Sequence, residues 1–233
     1  MKSLAKIHES CKQIFLDNLL DKEGGGYSNA CNMYQVMTDG REECENCIGE
    51  NFNQLIQRVI TDWFGCYTPS GNIDYYFFNY CILLYLFVER VDFIFDVLNK
   101  DGKSKLLNDF QHNNFQALRK INKWANFVKH PKEFLFTHWA TYYFEGNPPV
   151  NIGKGDVLIN TQFIFEHYFS ETKPRPTILE NNHRVFVEIP DLEVLTNDFC
   201  KELNVFFDFV CENKIIHDFL RKKSTIEYYY ETE

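Results

Sequence analysis

Alanine is scarce in this chain, 5 residues of 233, while Phe (23) and Asn (22) are plentiful. An AT-rich coding sequence produces that skew, so an aromatic share of 17% is not by itself a sign of base-stacking surfaces. A basic excess is also missing: 24 Lys and Arg face 33 Asp and Glu, for a formal charge of -9. Tight sequence-blind binding to duplex nucleic acid rests on a basic footprint, and this composition argues against it. A local cationic pocket is still compatible with it. Long apolar runs are absent too. The most apolar stretch, Tyr80 to Val88, runs straight into Glu89 and Arg90 and is too short to span a bilayer. The opening MKSLAKIHESCKQIF holds no uninterrupted apolar run of the signal-peptide kind, so the expectation is a soluble, cytoplasmic protein. GxSxG, P-loop and HExxH patterns do not occur, and Gly24-Gly25-Gly26 precedes no strand-to-helix phosphate unit.

What is present suggests an ordinary globular chain. Hydrophobic residues make up 45% and charged residues 24%, enough apolar material to bury a core without disulfide or metal staples. With no export signal, the 8 cysteines read as thiols in a reducing compartment. Cys11, Cys81, Cys200 and Cys211 lie within apolar helical patterns and read as buried small hydrophobes. Cys31, Cys44 and Cys47 share a loop, and Cys44-Glu-Asn-Cys47 has the spacing of half a zinc knuckle. A closed site needs four ligands, and the rest would have to come from Cys31 with Cys66 or a distant histidine, so neither metal nor cofactor is expected.

The periodicity predicts helices over about residues 4–20, 51–64, 73–98, 106–130 and 192–220. The 73–98 segment is apolar nearly all round in its first half, as a central helix of a bundle is. Leu83, Leu84, Phe87 and Val91 are expected in its core. From Lys132 to Pro190 the period changes to short β-rich runs between Gly-Asn-Pro-Pro and Lys-Pro-Arg-Pro turns. The fold expected is mainly α: one domain over 1–233, a helical bundle with a small β-containing insertion at about 132–190 between the last two core helices. A short tail, 222–233, follows.

The informative segment runs from Arg119 to His130. At about 100° per residue, Leu118, Ile121, Ala125 and Val128 fall in one arc and face the core. Arg119, Asn122, Asn126, Lys129 and His130 occupy the next arc, with Asn122, Asn126 and His130 as successive i, i+4 neighbours. A helix that only meets solvent usually carries Glu and Lys there; this arc has no carboxylate. Histidine exchanges a proton near neutral pH, and lysine and arginine neutralise phosphate oxygens. Asparagine can position a substrate oxygen or fix the imidazole. The plainer alternative is that Asn126 and His130 only satisfy the helix end before Pro131.

A bundle whose late helix carries a polar motif ending in histidine resembles the HEPN superfamily. That family includes metal-independent ribonucleases of toxin–antitoxin and anti-phage systems. Its motif is an arginine and a histidine with four to six residues between, the first commonly Asn, Asp or His. Asn126 and His130 fit the Asn and His of that pattern, while Ala125 stands where the arginine is expected. The preceding helix, with Glu89 and Arg90, resembles the one whose polar groups face the family's site. The resemblance covers roughly residues 73–130, with a return at 192–221.

It implies an RNA-cleaving effector of a bacterial defence or toxin system that works without metal. His130 would help the ribose 2′-hydroxyl attack the adjacent phosphate, Lys129 with Arg119 or Arg90 would hold the added charge, and Asn126 would orient the histidine or phosphate. Family sites commonly form across a homodimer. That arrangement would relieve the problem that Arg119 lies about 16 Å up the helix from His130. The partners implied are an RNA substrate, a second copy, and an antitoxin or sensor ATPase. The alternative is a non-catalytic HEPN-like subunit that binds a partner protein or nucleotide.

Overall fold

The computed structural model describes residues 2–20, 29–33, 48–71, 73–100, 115–129, 142–144, 157–160, 184–187, 189–220 and 222. It is mainly helical. The chain divides into two compact units: residues 1–69, 86–118 and 192–233 form the first, and residues 70–85 and 119–191 form the second. The second therefore holds more than the stretch at 132–190 where the sequence changes period. It also takes in parts of two helices.

In the first unit, α1 (Leu4–Leu19) opens on Ser3, whose hydroxyl accepts from the Lys6 N–H. Its apolar stripe of Cys11, Phe15 and Leu19 is buried against α5 (Leu192–Glu212). Lys2 meets Glu193 at 2.7 Å, and the Asn204 amide donates to the Asn18 carbonyl at 3.0 Å. Start meets start and end meets a later turn, so the two helices run parallel. Glu193 also accepts from the Ser10 hydroxyl. These donors hold its carboxyl below the usual range, at the helix end where a negative charge is favoured.

Helix α2 (Ile48–Arg58) continues into a π-helical turn, Val59–Phe64, where the spacing alone predicts uninterrupted α-helix. The Thr61 hydroxyl donates back to the Gln57 carbonyl. At Gly65 a Cβ would sit 3.2 Å from the Ile60 carbonyl oxygen, so the wide turn closes where the residue has no side chain. The core of this unit is a cluster of phenylalanines in edge-to-face pairs. Phe52 meets Phe207 at 5.3 Å, Phe87 meets Phe199 at 5.5 Å, and Phe95 meets Phe206 at 5.6 Å.

The 28-residue α3 (Ile73–Lys100) supplies Phe87 and Phe95. Leu84, Phe87 and Val91 are fully buried, whereas Leu83 is only half-buried. Helix α4 spans Gln116–Lys129; of the helix that the spacing predicts from about 106, residues 106–114 lie outside the described residues. Phe115 is non-helical and buried, and the Glu202 carboxylate of α5 accepts the Ala117 and Leu118 N–H groups at 2.8 and 2.9 Å. A carboxylate distant in sequence thus caps this end. The final helical run is also broken. Asn213 accepts from Ile215 and Ile216 and starts a separate α6 (Lys214–Leu220).

In the second unit, the first half of α3 meets α4 through Trp124, whose ring stands edge-on to Phe77 at 4.7 Å. The strands β1 (Tyr142–Phe144), β2 (Val157–Asn160) and β3 (Arg184–Val187) form an antiparallel sheet in the order β1-β3-β2. Phe186 is opposite Tyr143 on one side and Leu158 on the other.

Candidate functional site

Helix α4 is amphipathic because its sequence places apolar residues on one side only. Leu118, Ile121, Trp124 and Ala125 are buried. Val128, which the spacing assigns to the core, is 37% exposed. The rest of its surface carries Arg119, Lys120 and Lys123, with Lys129 at the border of the buried side, and no Asp or Glu occurs anywhere on the helix. In a chain of charge -9, that is a marked separation of sign.

Of the residues singled out from the sequence, Arg119, Asn126 and Lys129 lie in the second unit, and Glu89 and Arg90 lie in the first. His130 lies outside the described residues. Asn122 and Asn126 are half-buried, and the Asn126 amide donates to the Asn122 Oδ1 at 3.2 Å. That bond fixes the orientation of the Asn126 side chain. Lys129 is exposed, and its ammonium sits 3.7 Å from the centre of the Tyr85 ring. A cation over an aromatic face at an exposed position is worth about 0.5–1 kcal/mol, enough to bias where the lysine head rests.

Arg119 is half-buried on the same face. Glu89 is exposed, whereas Arg90 is half-buried and donates from Nη1 to the Leu86 carbonyl at 2.6 Å. Burial pulls the Arg90 guanidinium below its usual value; nearby Glu89 opposes this and Arg58 adds to it. Part of the guanidinium is therefore committed to its own helix.

Three residues escaped the sequence reading. Lys120 and Lys123 are exposed and, like Lys129, form no ion pair among the described residues. Their signal was available, since lysines stand at intervals of three and six on a helix without carboxylates. Tyr85 had no such signal, because only packing of α3 against α4 brings its ring under Lys129.

The cysteine loop contributes less. Cys31 is half-buried, and Cys44 and Cys47 lie outside the described residues. Among the described residues no three His, Cys, Asp or Glu side chains converge as metal ligands would. Cys11, Cys81 and Cys200 are buried as their spacing predicts, while Cys211 is half-buried with its thiol toward the Asn29 carbonyl. Burial pushes the Cys211 thiol up to about 11, so it is a poor nucleophile at neutral pH. Within the described residues no helix is long and apolar enough to cross a membrane. Comparison of the chain with family models, with curated proteins and with solved structures finds no match.

Proposed function

We propose that the protein is an RNA-cleaving effector of a bacterial defence or toxin system, of the HEPN kind. The observation that carries this reading is the face of α4: cations and amides turned to solvent, with no carboxylate, on an acidic protein. Such a face repels nothing in a phosphodiester and supplies donors to its oxygens. His130 follows directly in sequence. It takes the proton of the ribose 2′-hydroxyl, whose oxygen attacks the adjacent phosphorus. The 5′-oxygen leaves and takes a proton from water, His130 returns its proton to solvent, and one product ends in a 2′,3′-cyclic phosphate. Lys129 holds the charge gathering on the phosphate, and Asn126 fixes its orientation. No step calls for a metal. A second copy supplies further positive charge, because one acidic protomer offers little to hold RNA.

A second reading, a HEPN-like subunit that binds a partner without cutting, is favoured by Ala125. That position is fully buried, on the side of α4 turned away from the polar face. The arginine of the family's motif has no counterpart there.

The test is His130→Ala. A general acid–base group contributes on the order of 10²–10⁴-fold in rate, so the variant should lose RNA cleavage while its melting temperature and oligomeric state stay put. Cleavage by the parent should persist in EDTA. A variant that cuts as fast as the parent removes His130 from the chemistry. A parent that binds RNA without cutting it leaves the second reading in its place.

A further inference from the structure

The exposed lysines of α4 are not scattered. Lys120, Lys123, Asn126 and Lys129 follow one another at intervals of three, all in the second unit and all exposed or half-buried. Residues three apart on a helix are neighbours with Cβ atoms about 5–6 Å apart, and such a row forms a ridge inclined about 45° to the axis. From Lys120 to Lys129 this ridge climbs about 14 Å and winds through about half a turn, from one edge of the exposed surface of the helix to the other. Its three ammonium groups have no ion pair among the described residues. Lys129 leans on the Tyr85 ring and Asn126 is held by Asn122, so the upper half of the ridge is braced.

We infer that this ridge is the track of an extended, single-stranded phosphodiester backbone, crossing α4 obliquely from Lys120 to Lys129. The inference rests on the reading of α4 as a nucleic-acid surface and adds the path, the polarity-blind chemistry and two residues, Lys120 and Lys123. A repeating row of single cations suits a polymer with one charge per repeat, and the amide in the row suits a neutral hydrogen bond to a phosphate or sugar oxygen. An acidic protein segment has no comparable fixed repeat of charge along an extended chain. Phosphate contacts carry no sequence or sugar information, so the track itself should not distinguish RNA from DNA.

The experiment measures binding of fluorescent oligouridylate and oligodeoxythymidylate to the full chain over a range of salt. Lys120→Ala and Lys123→Ala should each weaken both oligonucleotides several-fold. Each should lower the slope of log affinity against log salt by about 0.7, the value for one lost single-strand contact. Lys201→Ala, an exposed lysine on α5, serves as the control and should change neither. Thermal melts verify that each variant is folded, and Lys123→Arg should restore the slope.

Unchanged slopes in both lysine variants overturn the track, as does tight binding of poly-L-glutamate by a protein that ignores the oligonucleotides. The two proposals separate cleanly. If the parent cuts RNA and the slopes do not move, the track fails and the ribonuclease stands. If the slopes move and nothing is cut, the track stands and the ribonuclease fails.

Discussion

At position 8 a histidine faces the rings of Trp63, Phe64 and Tyr67 and donates its ring N–H to the Phe64 carbonyl, at the end of the π turn. Burial lowers its pKa below the ordinary 6.5, and the bond to Phe64 only partly offsets that. The unfolded chain takes up this proton as pH falls through 6.5 and the folded chain resists. The contribution of His8 to stability is therefore complete above that value and is lost on acidification through the folded pKa. Glu202 behaves in the opposite sense. Burial raises its carboxyl above the ordinary 4.5, against three backbone donors of α4. Its contribution is complete below 4.5 and is lost as pH rises through the folded pKa. Unfolding midpoints measured from about pH 4 to 7 should show both. His8→Phe should flatten the acid-side decline, and Glu202→Gln should flatten the loss on the way up. Profiles identical to the parent's would show that neither group is buried as described.

The elements show how local pattern and tertiary demand divide the work. The first half of helix α3 has the largely apolar character of a central helix, and its Leu84 is fully buried. Leu84→Ala should cost about 2–5 kcal/mol in denaturant melts, because the cavity left behind cannot collapse fully. A loss below about 0.5 kcal/mol, the level of a surface change, would place the helix on the outside. Helix α2 runs on into the π turn, which periodicity does not reveal because six residues are too few to establish a period of their own. Only the close approach at Gly65 marks it. The start of α4 is equally hidden, since its cap is Glu202, some 85 residues downstream. No local signal encodes a cap borrowed from another helix.

On the scale of the whole molecule, charge and connectivity matter together. The chain carries -9, yet α4 concentrates Arg119, Lys120, Lys123 and Lys129 with no carboxylate. If the proposed site is completed by the α4 face of a second copy, light scattering should report a homodimer. A strict monomer, alone and with RNA, would remove the two-copy site. The two compact units each draw on segments separated in sequence, with 86–118 returned to the first unit between pieces of the second. Helices α3 and α4 both pass from one unit's residues to the other's, so neither unit is a contiguous piece that could be excised by cutting once.

Composition and spacing by themselves determined the mainly helical class, the central character of α3, the buried cysteines at 11, 81 and 200, and the polar arc of α4 that holds Arg119, Asn126 and Lys129. Each follows from short-range rules: apolar residues at intervals of three and four bury one face, and the rest meets water. The tertiary structure alone decided the π turn, the Glu202 cap, the exposure of Val128, the seat of Lys129 on Tyr85, and the assignment of Glu89 and Arg90 to a different unit from Asn126. Those depend on groups far apart in the chain meeting in space. A helical period fixes which way a side chain faces; only packing decides what stands there to meet it.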